Sequence, residues 1–370
     1  MTHQLPIIQA ILPVFLWYVL LYISYSKRDY YFDSVSYLPL LLVGCLFCTF
    51  DSLSGDFIHY WEAYEEITRS HLADGHMEPF YIWLINNLPC NYFLWRFIVW
   101  GSAFLITILS FRFLDLHPSF STLVFTLILA LYFPNPRQSL GCVILYFGFI
   151  NIMNDNSIRL EKLILGLFLF FISIYFHKSI FLFIGILLFS SLPFFHNKYF
   201  YIFSLLAFPF LYSTIYYLSG EFVTMFATSD QGIEGLRYLD YDDWEQLNWK
   251  GYLRLGVKRI PLIYILVHSI INMYWRDEYV PYIYKSFHNC AYCLIYISLL
   301  LWDNGSISAQ MTTRFWDASL YPLTFFSAYY LYQLYEVKYI QAMRVIKVLI
   351  ISNTIELAFC IYSVLFSIPK

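Results

Sequence analysis

The chain has 370 residues, of which 60% are hydrophobic and only 13% are charged. A soluble globular domain carries roughly a quarter charged residues, so this composition excludes that class and predicts an all-α, polytopic integral membrane protein. The formal net charge of −3 gives no bulk attraction for nucleic acid, and a nucleic-acid partner is not expected.

The apolar runs, taken in chain order, predict about twelve transmembrane helices, because a helix of about 20 apolar residues crosses the bilayer. Residues 5–24 lack the basic start and the small-residue cleavage site of a signal peptide and are interpreted as the first span. The others are residues 35–50, 92–114, 119–133, 139–153, 163–176, 180–195, 199–218, 255–275, 280–302, 315–335 and 345–366.

Two longer polar segments, residues 51–91 and 219–254, interrupt these runs and are expected to hold short helices. The Lys and Arg residues of the short loops, beginning with Lys27, predict that those loops face the cytoplasm. Both long segments and both termini then lie outside. Because every inner loop is short, the chain is interpreted as one membrane-embedded domain, residues 1–370, whose chemistry takes place on the external face.

A polar segment at residues 132–141 separates two strongly apolar runs and contains Arg137 and Gln138. Pro134 and Pro136 are expected to break helix continuity there, because proline has no N–H to donate and restricts the residue before it. An arginine costs about 2.5–3.5 kcal/mol at the bilayer centre, so Arg137 is expected at the membrane surface. Its forked guanidinium suits a pyrophosphate, and the alternative is an anchor for lipid head groups.

A second polar interruption, Phe176-His177-Lys178-Ser179, lies between two further apolar runs. His177 titrates near neutral pH, so it is interpreted as a general base or as a donor to phosphate. The alternative is a hydrogen-bonded turn residue without a chemical role.

The first external segment supplies two candidate carboxylates, Asp56 and Glu78. Either one is suited to orienting or deprotonating a sugar hydroxyl. Pro79 fits the first position of a helix, so Glu78 is alternatively a cap at the positive end of that helix.

Further cations precede the ninth and eleventh predicted spans. Arg254 and Lys258 share a helix face by i,i+4 spacing, and two like charges on one face gain from a shared anion. Arg314 is expected to open the eleventh span. The alternatives are head-group anchoring for the first two and an i,i+3 pair with Asp317 for Arg314.

No metal-binding spacing such as HExxH or His-x-x-x-His and no Gly-rich phosphate loop occurs, so no cofactor is predicted. A metal held by the external carboxylates remains open as an alternative.

Several short motifs, taken in order, resemble those of the EpsG-like polysaccharide polymerases, relatives of the Wzy O-antigen polymerases. They are Asp56-x-x-x-Tyr60, Glu78-Pro79, Arg137-Gln138, Phe176-His177-x-Ser179 and Arg314-Phe315. The resemblance implies a bacterial inner-membrane enzyme that joins oligosaccharide repeats on undecaprenyl pyrophosphate at the periplasmic face. It implies Arg137, His177 and Arg314 as site positions, together with Asp56 and Glu78, and it makes a chain-length regulator a further partner to expect.

The leading hypothesis is therefore a glycosyltransferase that polymerises lipid-linked repeats for O-antigen, capsule or exopolysaccharide. One alternative is a transferase of the GT-C kind that takes a single sugar from a polyprenyl-phosphate donor. Another is a flippase for lipid-linked oligosaccharide, which predicts internal symmetry that the sequence lacks. On the leading hypothesis, we expect the arginine and histidine side chains to meet in one pocket at the outer leaflet.

Overall fold

The structure is a computed structural model that describes residues 5–28, 34–50, 56–70, 79–88, 90–129, 136–153, 159–177, 179–227, 249–301 and 306–366. Within these ranges the chain forms fourteen α-helices and one 3₁₀ turn, and no strand. The prediction of an all-α fold is confirmed for this part of the chain.

The helices belong to two compact units. Unit 1 comprises residues 1–185 and 321–370, and unit 2 comprises residues 186–320. Unit 1 contains α1 (Leu5–Ser26), α2 (Ser34–Phe50), α3 (Asp56–Ser70), α4 (Pro79–Asn87), α5 (Tyr92–Phe113), α6 (Pro118–Ile128), α7 (Pro136–Met153), α8 (Leu160–Phe176) and α14 (Tyr339–Phe366). Unit 2 contains the 3₁₀ turn Pro193–Phe195, α10 (Lys198–Ala227), α11 (Trp249–Trp275) and α12 (Tyr282–Leu300), while α9 (Ile180–Ser190) and α13 (Ser306–Val337) contribute residues to both.

In unit 1, side chains from α1 and α14 bond to the end of the short helix α6. The indole N–H of Trp17 donates to the carbonyl of Thr126 at 3.1 Å, and the amide of Asn353 donates to the carbonyl of Leu127 at 2.7 Å. The last carbonyls of a helix have no partner within the helix, so both bonds satisfy acceptors that α6 leaves open. Both donor side chains are buried, so the loss of either bond would leave a buried polar atom unpaired.

In unit 2, a buried polar cluster joins α10, α12 and the turn that precedes α10. The amide of Asn289 donates to the carbonyl oxygens of Phe195 at 3.1 Å and Ser190 at 3.4 Å. The hydroxyl of Tyr201 donates to the amide oxygen of Asn289 and lies 3.1 Å from Nδ1 of His288. These bonds hold the turn between α9 and α10 against α12.

Two helices in the described residues are long and apolar enough to cross a membrane, Tyr92–Phe113 and Lys198–Ile215. A buried helix of a soluble protein passes the same test of length and composition, so these two helices are weak evidence of a membrane protein. The larger number of about twelve spans stays a prediction from hydropathy.

Helices extend into both ends of the predicted external segment 219–254. Helix α10 continues to Ala227, and α11 begins at Trp249. Arg254 and Lys258 therefore lie well inside α11, and not at the start of a helix. The reason is that hydropathy marks the apolar part of a helix, whereas the backbone hydrogen bonds continue through its polar turns.

Two further boundaries differ from the prediction for the same reason. Helix α13 begins at Ser306, so Arg314 lies in its third turn and does not open it. Helix α7 begins at Pro136, and Gln138 lies in its first turn. Helices α6 and α7 are separate, so helix continuity is broken before Pro136 as predicted, and the remaining polar residues 136–141 belong to α7, because proline is favoured at the first position of a helix.

Candidate functional site

Helices α7 and α8 form an antiparallel hairpin whose backbones approach at glycines. A Cβ atom on Gly166 would lie 2.9 Å from the carbonyl oxygen of Gly148 and 2.4 Å from Cγ1 of Ile152. A Cβ atom on Gly141 would lie 3.1 Å from the carbonyl oxygen of Ser173. Only residues without a side chain permit this approach. The hairpin thereby places the first turns of α7 beside the last turns of α8.

His177 follows the last residue of α8 and is buried, with 4% of its surface exposed. Its Nδ1 accepts a hydrogen bond from the backbone N–H of Ser179 at 3.3 Å, and the hydroxyl of Ser179 lies 2.6 Å from the same nitrogen. A backbone amide can only donate, so Nδ1 holds the lone pair and the neutral ring carries its proton on Nε2. This arrangement favours a hydrogen-bond donor at Nε2 over a general base there.

Gln138 and Ser139 are buried in the first turn of α7. Within the described residues, the hydroxyl oxygen of Ser139 has no hydrogen-bond partner. A serine hydroxyl in a helix commonly bonds to the carbonyl four residues earlier, which here belongs to Asn135, outside the described residues. Arg137 is the second residue of α7, and its side chain lies outside the described part of the chain.

The start of α4 lies against the end of α8. Glu78 is outside the described residues, and α4 begins at the next residue, Pro79, as the sequence predicts. The ring of Phe80 meets the ring of Phe176 edge to face, with 4.7 Å between their centroids. Because Phe176 immediately precedes His177, three segments that lie far apart in the sequence meet at this end of unit 1.

Helix α3 begins at Asp56, whose side chain lies outside the described residues. Aromatic residues attach this helix to the start of α5. The ring of Trp61 stacks on that of Tyr92 at 5.4 Å, and the hydroxyl of Tyr64 donates to the carbonyl of Cys90. The two helices of the predicted segment 51–91 are thus packed parts of unit 1.

Arg96 is a buried arginine of α5 that the sequence reasoning missed. It is 3% exposed, and it donates to the carbonyls of Thr49 at 2.7 Å and Cys48 at 3.2 Å. It also donates to the hydroxyl of Tyr92 at 3.2 Å. The carbonyls belong to the end of α2, which carries partial negative charge, so Arg96 stabilises the α2–α5 pair. The available signal was a single ionisable residue inside an apolar run, which needs a partner.

In unit 2, Lys258 and Arg314 lie on two helices that meet through neighbouring residues. The guanidinium of Arg259 lies over the ring of Trp316, with 4.5 Å between Cζ and the ring centroid. The carboxylate of Asp317 is close enough to attract the same guanidinium. Trp316 is buried. This contact brings the basic turn of α11 close to the turn of α13 that contains Arg314.

The predicted site residues divide between the two units. Gln138 and His177 belong to unit 1, and Lys258 and Arg314 belong to unit 2. The side chains of Asp56, Glu78, Arg137 and Arg254 lie outside the described residues.

Among the residues that the structure describes, no group of three or more His, Cys, Asp or Glu side chains is placed to hold a metal ion. Comparison of the chain with protein-family models, with curated proteins and with solved structures gives no match. The resemblance to the EpsG-like polymerases therefore rests on the sequence motifs alone and stays a prediction.

Proposed function

We propose that the chain is a membrane-embedded glycosyltransferase that polymerises oligosaccharide repeats carried on undecaprenyl pyrophosphate, at the outer face of a bacterial inner membrane. The observation that supports this proposal best is the meeting of three motif segments at one end of unit 1. These are the start of α4 after Glu78, the first turn of α7 with Gln138, and the end of α8 at His177.

The exposed apolar surface supports a location in the membrane. On α10, Phe203, Leu206 and Phe210 are 70%, 69% and 75% exposed, and their spacing places them on one face of the helix. Leu167 and Phe168 of α8 are also largely exposed. Burying apolar surface gains about 25 cal/mol per Å², so such faces are stable against lipid and unfavourable in water. The proposal accordingly includes about twelve spans, more than length and composition alone identify.

The proposed reaction joins two lipid-linked oligosaccharides. A hydroxyl oxygen of the acceptor sugar forms a bond to the anomeric carbon of the donor glycan. The bond from that carbon to the pyrophosphate oxygen breaks, and undecaprenyl pyrophosphate leaves with the electron pair. The hydroxyl proton passes to a carboxylate, for which Asp56 and Glu78 are the candidates.

The other candidate residues of unit 1 carry hydrogen-bond donor groups, and their proposed roles follow from these groups. His177 donates from Nε2 to an oxygen of the substrate, since its Nδ1 is already bonded to Ser179. Arg137 neutralises charge on the departing pyrophosphate, and a metal is not required if such cations stabilise the leaving group. Gln138 offers its amide to the same group.

For the basic residues of unit 2 we propose a binding role only, without a part in the chemical step. Arg254, Lys258 and Arg314 are candidates for binding the phosphate groups of lipids. Variants of these residues distinguish the two sources of phosphate. If a variant changes the polysaccharide product without changing the amount of protein, the bound lipid is the substrate and not a bilayer lipid.

The test is the surface polysaccharide of the organism that carries the gene. Deleting the gene should remove the ladder of chain lengths on a gel and leave a product with a single repeat. The intact gene should restore the ladder, and the Arg137→Ala variant should not, although its protein level is normal. A deletion strain that lacks even the single-repeat product would instead indicate sugar addition or flipping. A normal ladder from Arg137→Ala would remove that residue from the site.

A further inference from the structure

Unit 2 contains an open pocket of about 350 Å³ between the turn that precedes α10 and the start of α12. Its volume lies near the lower end of the range for small-ligand sites, about 300–1,000 Å³. The residues that line it are Pro193, His196, Tyr279, Val280, Tyr282 and Lys285. The proposed polymerase reaction uses none of them.

The walls of this pocket are fixed by contacts between the turn and α12. The hydroxyl of Tyr282 donates to the carbonyl of Ser191, and the rings of Tyr282 and His196 pack with 4.6 Å between centroids. Two turns further along α12, Asn289 bonds to the carbonyl of Phe195 at 3.1 Å. The pocket is therefore preformed in the folded unit.

The pocket carries positive charge. Lys285 lies in the first turn of α12, where the helix dipole is positive, and the capping residue Pro281 offers no side-chain acceptor. A cation at this end of a helix is unfavourable unless an anion lies nearby. No carboxylate belongs to the lining residues; Asp277 and Glu278, the nearest acidic residues in the sequence, precede the Tyr279 wall. An anion in the pocket would offset both the lysine charge and the helix dipole.

His196 gives the pocket a second polar group. Within the described residues, its buried Nε2 has no hydrogen-bond partner. Burial first, and then the positive charge of Lys285, lower the pKa of His196 to about 4. A phosphate oxygen accepts a hydrogen bond from Nε2 whenever that nitrogen carries a proton, as it does in the charged ring and in one of the two neutral tautomers.

The surroundings of the pocket favour a lipid as the source of this phosphate. Tyr279, which lines the pocket, and Phe194 and Tyr199, which flank the lining residues Pro193 and His196 in the sequence, are each more than half exposed. Aromatic side chains, and tyrosines above all, concentrate at the level of the lipid head groups, where one part of the ring is apolar and another is hydrated. We propose that this pocket binds the phosphate of an anionic lipid head group, with Lys285 as the cation and His196 as the hydrogen-bond partner.

The test uses the full-length protein in an uncharged detergent, titrated with phosphatidylglycerol and observed by native mass spectrometry. Lys285→Gln should weaken lipid binding about tenfold, which is the size of one charge-assisted hydrogen bond. Lys198→Gln is the matched control, because Lys198 begins α10, is exposed and does not line the pocket. His196→Gln, which keeps a hydrogen-bonding group without the imidazole, gives a second variant if Lys285→Gln does not fold.

The possible outcomes distinguish a specific phosphate-binding site from nonspecific attraction of anionic lipid to surface charge. Equal weakening by Lys198→Gln and Lys285→Gln, or no binding by the unaltered protein, would overturn the proposal. In a parallel arm, inorganic phosphate is added without lipid and the melting temperature is measured. Stabilisation by inorganic phosphate that Lys285→Gln abolishes would support the phosphate site and assign it to a soluble ligand. The polysaccharide ladder is a separate readout, so failure of lipid binding leaves the polymerase proposal untouched.

Discussion

Replacing Gly166 by alanine tests the close approach of α7 and α8 on which the proposed site of unit 1 depends. The new Cβ would lie 2.9 Å from the carbonyl oxygen of Gly148 and 2.4 Å from Cγ1 of Ile152. The carbonyl belongs to the backbone, so the helices must move apart for the methyl group to fit. Overpacking of this kind costs about 1–3 kcal/mol, which exceeds or equals the gain of about 1 kcal/mol from replacing glycine by alanine in a helix.

Gly185→Ala is the matched control for this substitution. Gly185 lies in α9, and a Cβ there would meet no atom within 4 Å among the described residues. This variant isolates the helix propensity and should stabilise the protein by up to about 1 kcal/mol. Both variants gain the same helix propensity, so this contribution cancels in the comparison. Their free energies of unfolding should therefore differ only by the cost of overpacking, about 1–3 kcal/mol.

The assay is the melting temperature of the purified full-length protein, followed by the polysaccharide ladder. A difference of about 1–3 kcal/mol corresponds to roughly 2–12 °C for a unit of this size. We also expect shorter chains from Gly166→Ala, because a wider hairpin moves His177 away from the first turn of α7. Equal melting temperatures for Gly166→Ala and Gly185→Ala would refute the close backbone approach.

Three further predictions concern single side chains. His177→Ala should lower chain extension by about a hundredfold or more, the usual cost of removing a positioned donor. His117→Ala, at a histidine whose Nδ1 likewise accepts a backbone N–H, should leave the ladder unchanged. Arg96→Met should lower the free energy of unfolding by about 1–3 kcal/mol for each buried carbonyl that it leaves unpaired. Arg69→Met removes an exposed ion pair with Glu65 and should lower it by at most about 0.5 kcal/mol. Thermal unfolding of both variants measures the difference. The pKa of His196 is about 4 in the folded protein and 6.5 ordinarily, so the unfolded chain takes up the proton first as the pH falls. Stability should accordingly fall from pH 6.5 towards pH 4, by at most about 2 kcal/mol at pH 5 because solvent screens part of the effect, and His196→Gln should remove this pH dependence.

Each of these predictions has a contradicting result. Loss of the ladder from both histidine variants would indicate a general effect on folding or membrane insertion. A melting temperature for Arg96→Met equal to that of Arg69→Met would show that the carbonyls of α2 find other partners. An unchanged pH dependence in His196→Gln would assign the acid sensitivity to other groups.

Much of the local structure is determined by the sequence alone. The apolar composition determines the helical class, because long apolar runs satisfy their backbone polar groups only within helices when water is absent. Pro79 and Pro136 each begin a helix, since proline lacks the N–H that this position leaves unpaired in any case. These rules act over a few residues, so the order of residues is sufficient to apply them.

The tertiary structure alone decided which distant residues meet. Nothing near Arg96 in the sequence indicates that its partners are carbonyls at the end of α2, and nothing near Phe80 indicates that it packs against Phe176. The physical reason is that hydropathy records the preference of each residue for its surroundings, whereas pairing depends on how whole helices pack against one another.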